Sequence, residues 1–237
     1  MSKLHELLSN NTDDEEILSL INAGANVNEA NAEDCYIRPM QLAVNCKRSE
    51  QIIRALVNAG ADVNACATED DLNDEDQEAV DDGLDMRGDL FDYFSDLSPL
   101  CLAVSNNDIA TMTLLIDLGA KVNRTCRQNS ADEIAPIGMT NKKETLEALI
   151  KLGANVNLTY GYGRDTANKL CWDLNSLDVE AVMLLLRAGS GYFGDRRPSE
   201  SINSYIVNHP EADADLIRDL IRRNTIEHFD YDPFENA

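Results

Sequence analysis

The sequence predicts an all-α repeat solenoid, mainly because one phrase recurs four times. The phrase is Gly-Ala-x-Val-Asn, and it begins at Gly24, Gly60, Gly119 and Gly153, with a weaker copy at Gly189. Each copy follows an apolar stretch of helical spacing, so each glycine stands where a helix ends in the left-handed conformation that glycine adopts without strain. Three of the four intervals are 34 or 36 residues, which indicates stacked helix pairs.

A phrase containing proline opens the first helix of several pairs. It reads Arg-Pro-Met-Gln-Leu-Ala from Arg38, Ser-Pro-Leu-Cys-Leu-Ala from Ser98 and Ala-Pro-Ile-Gly-Met from Ala135. Proline suits the first helical position because its missing N–H costs nothing there. The sequence therefore predicts helices that begin at these three prolines.

The second helices have start signals of their own. Thr12 with Glu15, and Asn141 with Glu144, have the spacing of a capping box. The apolar stripes that follow need neighbouring pairs to bury them, because one helix pair alone cannot. Two of these stripes are Ile52, Ile53, Leu56 and Val57, and Leu146, Leu149 and Ile150.

Together these phrases resemble the ankyrin repeat. In that family a Thr-Pro-Leu-His-x-Ala box opens the first helix, and a Gly-Ala-x-Val-Asn phrase leads from the second helix into a hairpin finger, in units of roughly 33 residues. This chain keeps the proline and the apolar positions of the box but never its histidine. The box at Thr166 is the weakest, because Ala167, Asn168 and Lys169 replace its proline, apolar residue and histidine.

The resemblance implies about six ankyrin-like helix-turn-helix units with hairpin fingers and one long acidic insertion. The degenerate first and last units are typical of capping repeats. We expect a solenoid over residues 1–224, with the insertion at about 66–97, and an acidic C-terminal tail at 225–237. The six units are predicted at 3–24, 38–60, 98–119, 135–153, 166–189 and about 199–223.

The insertion carries much of the charge of the chain. The formal net charge is -23, and the stretch 69–96 holds thirteen acidic residues against one base, Arg87. It lengthens the interval between Gly60 and Gly119 to 59 residues and replaces one finger. Finger insertions in solenoids lie on one face, often the binding face. A solvated loop whose few aromatic residues fold back on neighbouring helices is the alternative.

Aromatic and arginine residues in the insertion and in other fingers are the candidate contacts, since tyrosine and arginine are enriched at binding hot spots. Tyr192 and Phe193 have a second interpretation, in which they cover the junction with the last helix pair, and Trp172 is expected to pack against its neighbours. The predicted partner-binding residues are Tyr36, Asp81, Asp82, Asp85, Asp89, Phe91, Asp92, Tyr93, Phe94, Arg127, Tyr160, Tyr162 and Arg164.

Several other classes of protein find little support in the sequence. The three histidines lie far apart, and no Ser or Cys nucleophile motif accompanies them, so we expect no enzyme. The insertion lacks a calcium-loop pattern, and the six scattered cysteines indicate reduced thiols, so we expect no metal, cofactor or disulfide. No secretory signal or run of about 18 apolar residues is evident, which favours a cytoplasmic, membrane-free and monomeric protein.

The acidic charge opposes direct binding to nucleic acid, because phosphate affinity comes largely from Lys and Arg. It favours a basic protein partner, which an acidic surface steers into encounter. Three functions stay open: an inhibitor that neutralises a basic protein such as a nuclease or toxin, as ankyrin immunity and anti-defence proteins do; an adaptor or secreted bacterial effector that recruits a host protein; and an enzyme on a repeat scaffold.

Overall fold

A computed structural model describes residues 2–10, 12–31, 37–66, 97–128, 132–162, 165–194 and 197–234. The described chain is mostly helical, with a few short strands, so the predicted helical character is confirmed. It divides into two compact units, Met1–Asp132 and Glu133–Ala237. Across these described ranges, no helix is both long and apolar enough to cross a membrane.

The described residues of the first unit form three helix pairs. Within each pair the helices contact each other, and α3 also contacts α1 and α5 from the neighbouring pairs. Their apolar faces form one core, in which residues such as Leu8, Ile52 and Leu102 are inaccessible to solvent. The elements are α1 (Lys3–Ser9), α2 (Asp14–Asn22), α3 (Pro39–Asn45), α4 (Glu50–Asn58), α5 (Pro99–Ser105), α6 (Ile109–Asp117) and the short strand β1 (Cys126–Gln128).

Helix starts in the first unit follow the proline phrase. Pro39 and Pro99 are the first residues of α3 and α5, as predicted. Ser98 caps α5 by accepting a hydrogen bond from the Cys101 N–H at 3.2 Å. The buried Gln41 caps α3 through its oxygen, which accepts from the Arg38 N–H, and its amide nitrogen donates to the Leu97 carbonyl at 2.8 Å.

Two polar side chains hold α1 in place. Arg48 donates to the carbonyl oxygens of Leu7 and Leu8 at 2.8 to 2.9 Å, and so satisfies acceptors at the end of α1 that have no partner inside the helix. The buried His5 bonds through Nε2 to the Ile37 carbonyl at 3.0 Å. Since a carbonyl only accepts, His5 Nε2 carries the proton.

The second unit combines helices with a β-hairpin. Strands β3 and β4 pair antiparallel, with Thr159 opposite Asn168 and Tyr162 opposite Asp165. The elements are β2 (Asp132–Ile134, at the junction with the first unit), the 3₁₀ turn η1 (Pro136–Met139), α7 (Lys143–Lys151), β3 (Thr159–Tyr162), β4 (Asp165–Asn168), α8 (Lys169–Asp173), the 3₁₀ turn η2 (Leu174–Ser176), α9 (Val179–Arg187), α10 (Pro198–Asn208) and α11 (Ala214–Phe229).

The helix predicted to begin at Pro136 is a single 3₁₀ turn. Pro136 does occupy its first position, but the turn ends at Met139. Gly138 lies under the ring of Tyr160, so close that a Cβ at this position would stand 2.8 Å from Tyr160 Cζ. Glycine weakens a helix, and at position 138 it also allows the Tyr160 ring to pack against the backbone. Both effects account for the short 3₁₀ turn.

Both predicted capping boxes are wrong. Helix α2 begins after Asp13, not Thr12, and α7 begins after Lys142, and neither N-cap side chain bonds to its helix. The Asn141 side chain instead accepts a hydrogen bond from Lys169 Nζ at 2.6 Å. Tertiary partners therefore outcompete the local cap at this position.

The last helix extends beyond the predicted boundary at residue 224. Helix α11 runs to Phe229, whose ring stacks on Phe193 with centroids 4.4 Å apart. The buried Tyr192 accepts, at its carbonyl, a hydrogen bond from the Tyr231 hydroxyl. Tyr192 and Phe193 thus cover the junction with the last helix pair, which confirms that interpretation of the two residues.

Candidate partner-binding surface

The Gly-Ala-x-Val-Asn turns of the first unit are joined by asparagine side chains, an arrangement that we call the turn ladder. Asn28 donates from Nδ2 to the Gly60 carbonyl at 2.8 Å and accepts at Oδ1 from the Asp62 N–H at 3.0 Å. Asn64 repeats the pattern one turn later, with the Gly119 carbonyl at 3.1 Å and the Lys121 N–H at 2.8 Å. Each asparagine therefore locks its own turn to the next one.

The second unit contains one equivalent rung. Asn157 donates to the Gly189 carbonyl at 2.9 Å and accepts from the Gly191 N–H at 2.8 Å. Gly189 also has the positive φ of the other repeat glycines. The weak fifth copy of the phrase thus forms the same turn as the stronger copies.

The turn ladder presents polar, exposed side chains on a fixed backbone. Asn26, Asp62, Lys121 and Arg124 are all exposed. Side chains also brace two of these turns from within, since the Asn28 N–H donates to Asn26 Oδ1 at 3.1 Å and the Asn64 N–H donates to Asp62 Oδ1 at 2.8 Å. A surface whose backbone is ordered in advance loses less entropy when a partner binds.

The turn ladder continues across the acidic stretch. Asn64 precedes residues 67–96 and bonds to Gly119 and Lys121, which follow them. Cys66 Sγ lies 3.3 Å from Cys126 Sγ, and the Ser98 N–H donates to the same sulfur at 3.3 Å. Cys66 and Ser98, which lie on either side of the acidic stretch in the sequence, therefore both contact Cys126.

Most of the predicted contact residues lie outside the described residues. Arg127 and Tyr162 are described only as backbone positions in β1 and β3. Of the predicted set, only Tyr160 has a described side chain. Those outside the described residues are Tyr36, Asp81, Asp82, Asp85, Asp89, Phe91, Asp92, Tyr93, Phe94 and Arg164.

Tyr160 lies in the interior and not on an exposed finger. Its side chain is only 6% exposed, because the ring packs over Gly138. Burial raises the pKa of its hydroxyl above the usual value, and the nearby carboxylate of Asp173 adds to the shift. The Tyr160 hydroxyl is buried with no hydrogen-bond partner among the described residues.

Trp172 is more exposed than the sequence suggests. Its indole N–H donates to the Tyr160 carbonyl at 2.7 Å, which fixes the ring, yet 39% of the residue remains accessible. A fixed, partly exposed tryptophan is a typical binding anchor. Trp172 therefore replaces Tyr160 as the aromatic contact candidate of this region.

A buried lysine beside these aromatics was not predicted as a functional residue. Lys169 is fully buried, and its ammonium contacts Asn141 Oδ1 at 2.6 Å and Asp173 Oδ2 at 2.8 Å. Desolvation lowers the pKa of Lys169, and Asp173 partly offsets the effect. The signal in the sequence is a lysine inside an apolar box with an aspartate four residues later.

The described side chains do not form a recognisable metal centre. Within the ranges given above, no group of three or more His, Cys, Asp or Glu residues has the geometry to hold a metal ion. Comparison with known proteins finds no matching protein-family model and no similar curated protein. The features that bear on binding are therefore the ordered turns of each unit, the acidic composition and, within the second unit, Trp172.

Proposed function

We propose that this chain is an ankyrin-type repeat solenoid that acts as a non-enzymatic protein-binding module. Its partner is a basic protein, such as a nuclease or a toxin, which it neutralises by occupying the cationic surface of that protein. The observation that carries the proposal is the continuity of the turn ladder across a stretch with thirteen acidic residues. In the sequence, a large negative charge thus lies between two turns that are hydrogen-bonded to each other.

The charge supports a cationic partner. A formal net charge of -23 attracts basic proteins over a range of about a Debye length, roughly 8 Å at physiological ionic strength. Such steering raises association rates more than it strengthens the final complex. We therefore assign the carboxylates of the acidic stretch to partner encounter.

Short-range contacts must then hold the complex. Aromatic residues anchor interfaces by filling pockets, and their truncation mainly raises the dissociation rate. We assign this role to Phe91, Tyr93 and Phe94 within the acidic stretch and to Trp172 in the second unit.

The proposal is tested by capture of the partner followed by kinetics. The immobilised chain is exposed to a lysate of its source cell, the captured protein is identified, and association rates are measured with purified protein across a salt series. We expect a basic partner whose association slows as salt rises. An acidic partner, or an association rate independent of salt, contradicts the proposal and favours an adaptor that recruits its target by short-range contacts.

Matched variants separate charge from contact. Changing Asp81, Asp82, Asp85, Asp89 and Asp92 to Asn is expected to slow association. The control changes five acidic residues elsewhere in the first unit, Glu6, Asp13, Glu15, Glu16 and Glu29, to their amides, which removes the same charge. If both variants slow association equally, only net charge matters. A Phe91→Ala, Phe94→Ala variant is expected to dissociate faster with little change in association.

A further inference from the structure

Three cysteine side chains meet in the first unit, although they are far apart in the sequence. Cys66 follows the turn of Asn64, Cys101 lies in α5, and Cys126 begins β1. Cys66 Sγ lies 3.3 Å from Cys126 Sγ. The buried thiol of Cys101 also hydrogen bonds to Cys126, which is itself buried. We call these three residues the cysteine cluster.

The cysteine cluster concentrates negative charge on Cys126. Its sulfur accepts a hydrogen bond from the Ser98 N–H at 3.3 Å and shares hydrogen bonds with the thiols of Cys66 and Cys101. These donors, led by Cys101 and then Cys66, lower the pKa of Cys126 to about 3, despite its burial. Burial and the same neighbour raise the pKa of Cys101. Cys126 is therefore the thiol of the cluster that ionises most readily, and thiolates are the nucleophiles in cysteine chemistry.

We propose that Cys66 and Cys126 form a reversible disulfide when the protein meets hydrogen peroxide. A disulfide requires a sulfur separation of about 2.05 Å, so the two sulfurs need to approach by about 1.2 Å. Cys66 is half-buried, whereas Cys101 and Cys126 are buried. The cluster therefore places an accessible thiol, which peroxide can reach, beside a buried thiol that ionises readily and can resolve a sulfenic acid formed at Cys66.

The chemical step balances with peroxide as the oxidant. The Cys66 thiol passes its proton to the adjacent Cys126 thiolate, and the resulting Cys66 thiolate attacks one peroxide oxygen and breaks the O–O bond. The departing hydroxide takes this proton back from Cys126 and leaves as water. Cys66 is then a sulfenic acid. The Cys126 thiolate attacks the Cys66 sulfur, forms the S–S bond and expels a second hydroxide, which is also protonated to water. Two thiols and one peroxide thus give one disulfide and two waters.

The disulfide would close a covalent loop around the acidic stretch. Residues 67–96 and the pair α5–α6 all lie between Cys66 and Cys126 in the chain. Closing a loop of this length constrains the unfolded chain, so oxidation is expected to raise the thermal unfolding midpoint by several degrees. A dithiol reductant restores the two thiols by exchange.

The test uses the full-length chain, reduced and then treated with a small excess of hydrogen peroxide. After removal of peroxide, remaining thiols are blocked with a maleimide, and intact mass and peptide mapping locate the products. We expect a mass lower by two hydrogen atoms before blocking, two fewer blocked thiols, and a linked peptide pair containing Cys66 and Cys126. Dithiothreitol is expected to reverse all three changes.

Single variants make the result specific. Cys66→Ser removes the half-buried thiol and is expected to abolish the cross-link while the protein stays folded. Cys171→Ser, outside the cluster, is the matched control and is expected to oxidise like the wild type. A cross-link between Cys101 and Cys126, sulfinic acid at Cys66 without a cross-link, or an unchanged product in the Cys66→Ser variant would each overturn the proposal.

Discussion

At the scale of single residues, the repeat glycines adopt a backbone conformation that other residues reach only with steric strain. Gly24, Gly60, Gly119 and Gly153 have φ between 89° and 102°. Among the described residues, apart from the chain neighbours and the helix backbone just before each glycine, no atom lies within 4 Å of the place where a Cβ would stand at any of them. Space is therefore available for a side chain, and only the backbone conformation requires glycine.

Replacement of Gly119 tests whether the backbone conformation, and not a lack of space, requires glycine at this position. Gly119→Val is expected to lower the free energy of unfolding by about 1–2 kcal/mol, because a β-branched residue is strained at positive φ. Gly119→Asn is the matched control and should lose less, because asparagine tolerates this conformation. Urea denaturation measures both. Equal stability of Gly119→Val and the wild type would contradict the assignment.

The buried charge of Lys169 makes the stability of the protein depend on pH. Lys169 is fully buried beside Asp173, and its pKa is lowered from the ordinary 10.5, mainly by desolvation. Between the folded and the unfolded pKa, the unfolded state binds more protons than the folded state. Stability therefore rises with pH as it approaches 10.5 from below.

The dependence on Lys169 can be tested by measuring how the free energy of unfolding changes with pH. As the pH rises toward 10.5, the contribution of Lys169 to the free energy of unfolding is expected to increase, and a Lys169→Met variant should lack this increase. Lys151→Met, in the exposed pair with Glu147, is the matched control and should keep the wild-type slope. Tyr160, whose pKa is raised, acts oppositely, but only above about pH 10. A wild-type slope in Lys169→Met would contradict the prediction.

At the scale of elements, three asparagines that end their turns, Asn28, Asn64 and Asn157, each bond to the next turn of the same unit. The Asn64 side chain has both a donor and an acceptor: its Nδ2 donates to the Gly119 carbonyl, and its Oδ1 accepts from the Lys121 N–H of the following turn. No other single side chain supplies this pair of groups at the same reach, since aspartate lacks the donor. The phrase therefore marks a helix end and also a contact between pairs.

Truncation of Asn64 should weaken this contact. Asn64→Ala is expected to lower the free energy of unfolding by about 1–2 kcal/mol, because two hydrogen bonds are lost. Asn64→Asp should lose less, because it still accepts from the Lys121 N–H. The control is Asn26→Ala, which loses only a bond to the Asn28 N–H within its own turn. Thermal unfolding ranks the four proteins, and a larger loss for Asn26→Ala than for Asn64→Ala would contradict the role of the ladder.

At the scale of the whole molecule, a long acidic stretch joins helix pairs that pack directly on one another. Helix α3 contacts α5 across it, and Gln41 donates to the Leu97 carbonyl at its far end. The contact between α3 and α5 therefore joins residues on either side of the stretch.

Excision of the stretch follows as a prediction. Replacing residues 67–96 with a short glycine-containing link should leave the helical circular dichroism and cooperative unfolding intact, because changes in loop length alter closure entropy only slowly. Partner binding should weaken. Loss of cooperative unfolding would contradict the prediction about folding, and retained affinity would instead move the binding site to the turns and Trp172. A link of equal length made of Gly and Ser separates the effect of charge from that of length.

The sequence alone determined the features that depend on local backbone chemistry. The positive φ at the glycines and the proline starts of α3 and α5 follow from sterics within a few residues. The two apolar stripes likewise predicted the helices α4 and α7, because helical periodicity is itself a local property. The acidic stretch, too, is visible in the composition.

Only the tertiary structure decided which distant side chains meet. Asn141 bonds to Lys169 and does not cap α7, Tyr160 covers Gly138, and the three cysteines of the cluster converge on one point. These contacts join residues separated by 22 to 60 positions, as in Tyr160 with Gly138 and Cys66 with Cys126. Sequence periodicity specifies which face of a helix is apolar, but the partner of a side chain depends on how the helices pack, and no local pattern contains that information.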